Sequence, residues 1–332
     1  MADSDATFGQ GAGAERSSRS VTKMELYQER LDVSVLTPLR VIWDDWRTRV
    51  GTLIIFAYLL MGTVGVMVIE VPRAGDAERL MVAFQDPNFI LGTNNLGEGI
   101  FAKIVHSTPP ILKMITSGAI FSTAIATIVG TVSGYKGGTV DRVLTTLSDI
   151  AMTIPGLPLF ILISVIFNPR SPWVIGIVLS INAWAGLARA IRSQVLSLRD
   201  EAYVEASRIM GVSTGTIVKD DILPNIMPYV LINFVQSARG VIFAAVGLYY
   251  LGLLPNIGSS NWGVMLNSAY STGGALYSLK SLHWLLFPML AIVFISFGLV
   301  LFSQGTEQLF NPRIRARHAD TIEDEAMPEE AH

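Results

Sequence analysis

The chain has 332 residues, 51% of them apolar and only 15% charged, with a formal net charge of −3. Soluble domains carry about 25% charged residues, so a water-facing globular surface is excluded and a membrane protein is the natural class. The absence of cysteine also excludes disulfides, thiolate metal sites and a cysteine nucleophile.

Residues 1–24 are rich in Gly, Ala and Ser and lack the apolar core of a signal peptide, which predicts a disordered tail. A juxtamembrane segment, 25–50, leads to a first span and an external loop over 51–110. Crossing a bilayer core takes about 20 apolar helical residues. Runs of that kind predict six helices at about 51–70, 111–135, 142–168, 173–195, 226–254 and 284–304. Pro109 and Pro110 read as a stop ahead of the second span, and Pro155 and Pro158 as a kink in the third. Residues 111–304 form the core, and 305–332 a C-terminal tail.

An even number of spans puts both termini on one side. Arg40, Arg47 and Arg49, then Lys136 and Arg142, the stretch from Arg189 to Lys219, and Arg313, Arg315 and Arg317 all fall on one face. Because such residues stay cytoplasmic, both termini are expected there. The acids that make the net charge negative crowd the last residues, from Glu323 to Glu330.

The stretch 199–224, RDEAYVEASRIMGVSTGTIVKDDILP, is too polar to cross a membrane and too well patterned to be a slack linker. It predicts two short helices. In the first, Ala202, Ala206 and Ile209 recur at helical spacing, Glu201 and Glu205 lie to another side, and Glu205 can meet Arg208 at i+3. Gly211 suits a left-handed stop, Ser213 or Thr214 a cap for the second helix, and Pro224 the first turn of the fifth span. Small side chains at Ala202, Ala206 and Ser207 would let another chain approach closely, as in a docking element; an amphipathic hairpin lying on the bilayer fits the helix pattern equally well.

The spacing Glu205-Ala206-Ser207, three residues, Gly211, then Leu223-Pro224 after eleven more resembles the EAA loop of ABC importer permeases. Other segments resemble the dipeptide/oligopeptide branch over about 85–317: Gly134 to Pro158, Trp184 to Ala206 with Arg189 and Arg192, Ile222 to Asn225, Leu248 to Leu253, Asn261-Trp262-Gly263 and Asn311-Pro312-Arg313. Departures are Ser207 for an alanine, Asp221 for an apolar residue, Asn94 and Gly97-Glu98-Gly99 in the external loop, and Ala245 where many relatives have a glutamate.

The resemblance implies an all-α polytopic membrane protein with six transmembrane helices of the type I ABC importer permease kind. It also implies a coupling loop made of Glu201, Glu205, Ala206, Ser207, Gly211, Leu223 and Pro224 that seats in an ATPase subunit. The implied partners are a second permease subunit, two ATPase subunits and an extracytoplasmic solute-binding protein, within membrane lipid and without nucleic acid. No nucleotide-binding glycine loop occurs here, so ATP and Mg are expected in the ATPase chains and no cofactor in this one. Peptides are the implied solutes, and Ala245 in place of an acid leaves room for oligosaccharides.

Asp149, Pro155, Arg239 and Ala245 are pathway or structural candidates, because a charge inside a membrane costs at least about 2.5 kcal/mol unless it faces protein or water. Arg189 or Arg192 is the expected partner of Asp149. His106 and His283 have no second ligand at metal spacing, so no metal site is expected. Trp262, Trp284 and Tyr277 read as an interfacial aromatic belt. An ATP-independent transporter or channel is the rival reading; it needs an ion-coupling carboxylate in the spans, for which Asp149 is the one candidate, and usually an inverted repeat, which the halves do not display.

Overall fold

The computed structural model describes residues 45–254 and 261–309. The expected tail at 1–24 and the Asn311-Pro312-Arg313 segment lie outside the described residues. Among the described residues every regular element is helical, and the one β-contact is an isolated bridge between Thr93 and Gly99. In chain order the helices are α1 (Trp46–Leu60, extended through a π-turn to Val68), α2 (Ile100–Lys136), α3 (Gly138–Thr153), α4 (Gly156–Phe167), α5 (Pro172–Leu179), α6 (Trp184–Arg199), α7 (Ala202–Ile209), α8 (Thr214–Ile217), α9 (Leu223–Tyr250), α10 (Trp262–Ser271) and α11 (Leu282–Leu309).

Among the described residues four helical stretches are long and apolar enough to cross a membrane: Trp46–Val68, Ile100–Lys136, Thr214–Tyr250 and Leu282–Thr306. Two bent pairs, α3 with α4 at 83° and α5 with α6 at 60°, raise the number to six if each pair crosses once. The bends have local causes. Pro155 stands at the N-cap of α4 in an extended conformation, φ −64° and ψ 119°. Ahead of it the carbonyl of Ile154 accepts a bond from Asn182 Nδ2 (3.1 Å), which lies in the break between α5 and α6.

The long helix α2 is the axis of the bundle. At its start Ile100, Ile104, Ile111 and Ile115 share a core with Trp262, Trp284 and Ile242. Its middle, through Met114, meets Phe160, Ile175 and Tyr249. Further on, Ala126 joins Ile191, Val195, Val204 and Ile217. Crossing is closest at Gly176, where a Cβ would stand 2.2 Å from the Met114 carbonyl oxygen, so any side chain there would push α5 off α2. On the flank, Tyr58 donates its hydroxyl to Ala291 O (2.6 Å), tying α1 to α11.

Two expectations change here. Pro109 and Pro110 lie inside α2, which begins at Ile100. The turns ahead of the prolines stay helical because Ile104, Val105 and Thr108 are buried, and membrane helices tolerate the lost donors when neighbours hold the backbone. Trp262 and Trp284 are not belt residues: both are buried, and Trp262 Nε1 donates to Ile104 O at 3.3 Å. Tyr277 is exposed, as a belt residue would be.

Candidate functional site

The 199–224 segment folds as a hairpin, and each turn of it follows from a particular residue. Glu201 is the N-cap of α7, and its carbonyl accepts from Val204 N (3.0 Å) and Glu205 N (3.1 Å). At the other end Gly211 takes φ +77°. Its N–H reaches Arg208 O (3.1 Å) and that of Val212 reaches Ser207 O (3.1 Å), the paired bonds of a Schellman stop. No atom would touch a Cβ at Gly211, so glycine is demanded by the backbone angle rather than by space. Ser213 then caps α8 by accepting from Thr216 N at 3.3 Å.

Helix α8 does not give way to a loop. A π-turn, Val218–Ile222, joins it directly to α9, with Pro224 in the first turn, so hairpin and span form one helix from Thr214 to Tyr250. The π-turn fits the sequence because Pro224 cannot supply its N–H to the helix. Asn225 Nδ2 donates to Asp221 O (2.7 Å) and to Tyr203 Oη (3.2 Å), which ties α9 to α7. Burial, with the Glu201 and Asp221 carboxylates, pushes the Tyr203 phenol up, so it stays neutral.

Val204, Ile217 and Ile222 face inward, with Leu223 packed against the same cluster on α2 and α6. Outward, Glu201, Ala202, Glu205 and Ala206 are exposed and Ser207 is half-buried. Beyond them Ile209 is 80% exposed and Met210 73%. The Ala202, Ala206, Ile209 face therefore points away from the protein, and Val204 is the anchor. The i+3 pair between Glu205 and Arg208 does not form: among the described residues Glu205 has no ion pair, and the Arg208 guanidinium stands 5.9 Å from the Tyr135 ring centroid.

A cavity of about 520 Å³ opens between the α5–α6 break and α9. Its polar lining is neutral: Ser180, Tyr229, Asn233, Gln236 and Ser237, among Ala183, Gly186 and Gly240. Arg239 lies beside it and donates from Nη1 to Gln236 Oε1 (2.9 Å), while its Nε is buried without a hydrogen-bond partner. Ala245 is buried with Met114 and Phe160, turned from the cavity toward α2 and α4. Asp149 pairs with Arg189, one of its two expected partners, and Arg192 pairs with Asp141. None of the candidates Asp149, Pro155, Arg239 and Ala245 lines the cavity; Asn233 and Gln236 carry no motif signal and are brought to Ser180 by the fold.

At the opposite end of α2, residues 69–99 hold together through side chains. Thr93 Oγ1 accepts from Met81 N (3.0 Å) and donates to Glu78 O. Asn94 Oδ1 accepts from Leu96 N and Glu98 N, both at 2.9 Å, and its Nδ2 donates to Glu98 Oε2 (2.6 Å). Glu98 also pairs with Lys103. Thr93 O bonds His283 Nε2 (3.0 Å), and Ile69 O bonds His106 Nε2 (2.9 Å), so both histidines serve the backbone. Among the described residues no group of His, Asp and Glu could hold a metal.

Comparison with known proteins agrees with this geometry. Residues 126–316 match the model of the family described as "binding-protein-dependent transport system inner membrane component". The chain is 30% identical over 226 residues to the dipeptide transport system permease protein DppC of Bacillus subtilis, covering 68% of each chain. It is 30% identical over 225 residues to the oligopeptide transport system permease protein OppC of the same organism, covering 68% of this chain and 72% of the relative. The OppC protein of Mycobacterium tuberculosis is also 30% identical, over 232 residues, 68% of this chain and 76% of the relative. The chain thus belongs to the inner-membrane permease family of binding-protein-dependent ABC transport systems.

Proposed function

We propose that this chain is one of two permease subunits of a prokaryotic ATP-driven peptide importer, with six spans and both termini in the cytoplasm. The observation that carries the reading is the fusion of the 199–224 hairpin to a span through α8, the π-turn and α9. ATPase closure drives the hairpin, whose exposed Glu205, Ala206, Ile209 and Met210 form the docking face, and the continuous helix takes the displacement into the bilayer. ATP and Mg belong to the ATPase partners. The cavity beside Asn233 and Gln236 forms half of the solute path, the second permease supplies the rest, and alternating access follows from rocking of the two bundles.

Peptides are favoured by the names of the relatives and by the lining, since neutral amides and hydroxyls suit a peptide backbone. Ala245 is buried with Met114 and Phe160 and is not among the residues that line the cavity, so its lack of an acid does not favour oligosaccharides. Pairing of Asp149 with Arg189 weighs against the ATP-independent rival, which needs a carboxylate free to bind an ion.

The test is uptake into proteoliposomes holding the co-expressed complex, with labelled peptides and oligosaccharides offered side by side. The parent should accumulate peptide only with ATP. Gly211→Asp and Glu205→Arg should assemble yet lose solute-stimulated hydrolysis. Uptake without any ATPase subunit, or full activity in both variants, overturns the proposal.

A further inference from the structure

Helix α3 is held in an unusual way. It follows α2 across Gly137 and Gly138, both at positive φ (65° and 59°), a junction with no side chain to stiffen it. Of its 16 residues only Ser148 is buried, so apolar packing within this chain does not fix its position. Val143, Leu147 and Ile150 point outward instead.

Polar links take the place of packing. One turn after the glycines, Asp141 accepts a two-pronged bond from Arg192 of α6, Nε to Oδ1 and Nη2 to Oδ2, the second at 2.6 Å. Thr145 Oγ1 (3.0 Å) and Ser133 Oγ of α2 donate to the same carboxylate. Two turns on, Arg189 of α6 pairs with Asp149. The inner pair is the sheltered one, with side chains 29% and 18% exposed against 49% and 48% for the outer. Fork-to-fork geometry is the strong form of such a bond, and shelter protects it from screening.

Helix α6 is itself the piece that meets the hairpin. Gly130 lets it lie against α2 so closely that a Cβ there would stand 2.5 Å from Ala188 O. Arg199, its last residue, is followed at once by α7. From this arrangement we propose that Asp141 and Arg192 are positioning residues for transport: they lock α3 to α6, so that a displacement entering at the hairpin carries α3 and the helix bend at Pro155 along with it. The inference rests on the ATP-driven reading above for its direction of force, but the lock itself does not depend on the solute.

Because the chain has no cysteine, nitroxides can be placed at Thr139→Cys on α3 and Ser197→Cys on α6, both exposed. The full complex is then measured by electron paramagnetic resonance with no nucleotide and after trapping ADP with vanadate. The parent should give one narrow distance in both states. Arg192→Gln and Asp141→Asn should broaden it and lower peptide taken up per ATP hydrolysed by about tenfold, the loss of one charge-assisted bond at ~1.4 kcal/mol. The reciprocal exchange Asp141→Arg with Arg192→Asp should restore the narrow distance and most of the uptake ratio, which shows that the pair, and not either side chain alone, sets both. Arg189→Gln should change the ratio less than about twofold, as exposed pairs do.

A narrow distance in both single variants with an unchanged uptake ratio overturns the lock, as does an assembled exchange variant that stays broad. If the parent instead transports without ATP, the importer reading falls while the distance measurement still decides the lock.

Discussion

Residues 199–224 and residues 69–99 both leave the apolar helices, yet they keep their shapes by different means. The hairpin uses regular helix, local caps and one inward valine, and runs into α9 without a joint. The 69–99 loop has a single short helical turn, Pro87–Phe89, and relies on Thr93, Asn94 and His283 to bond its backbone. A segment that must hand on a displacement is best made stiff along its length. One that must present a fixed surface needs only cross-ties. The contrast teaches that a polar segment can be held either by continuity with a neighbouring helix or by side-chain ties to its own backbone.

The contrast breaks most sharply at the hairpin's anchor. Val204→Asp puts a charge where the side chain is fully enclosed and should cost at least ~2–3 kcal/mol, unseating α7. Uptake should disappear, and protease should cut at 200–212; an intact, active complex would show that the hairpin does not need its anchor.

Next in size is the outward face. Ile209→Asp leaves the isolated chain as stable as the parent, because Ile209 is already exposed. It should weaken ATPase association by about tenfold or more, since a buried isoleucine contributes roughly 1.5–3 kcal/mol. Co-purification of the ATPase at parental yield would remove Ile209 from the docking face.

In the loop, Thr93→Val keeps shape but strands Met81 N and Glu78 O, a loss of about 1–3 kcal/mol. Amide exchange should rise across 78–98 while ATPase association stays unchanged. The smallest effect belongs to Asn225→Leu, which severs the tie from α9 to Tyr203 and Asp221 for about 1 kcal/mol. It should shift the thermal midpoint by a few degrees at most and leave uptake within about twofold. Should Asn225→Leu abolish transport while Val204→Asp does not, the order of importance within the hairpin is reversed.

The same two regions explain what sequence could foretell. Gly211 and Ser213 act on backbone atoms within a few residues, so the turn and the cap were legible from spacing alone, whereas the span expected to begin at Pro224 runs on from Thr214 through the π-turn. The bend at Pro155 was legible in kind, whereas its 83° depends on Asn182 meeting Ile154 across the bundle. Thr93 and His283 are 190 residues apart, and no local pattern announces such a bond. Pro109 and Pro110 misled because a local rule for helix starts yields to burial of Ile104 and Val105 in front of them. Trp262 and Trp284 misled because a tendency of tryptophan at membrane borders says nothing about whether a neighbour covers it. Helix α10 was missed altogether; Asn261, which accepts from Gly263 N at 2.9 Å, is the cap that announces it.

The π-turn at Val218–Ile222 also fixes an angle. Each residue of an α-helix advances the chain by about 100°, and a π-turn holds one residue more than the α-helical turn it replaces. Deleting a single residue from this turn would tighten it to ordinary helix and swing Glu205 and Ala206 about a quarter of a revolution around the axis of the span. The sequence motif would survive, but Val204 and Ile217 would leave their packing against α2 and α6 and the hairpin would face the wrong way. The widened turn therefore works as a phase setting between the two ends of one helix, and its length, more than its composition, is what the permease has to preserve.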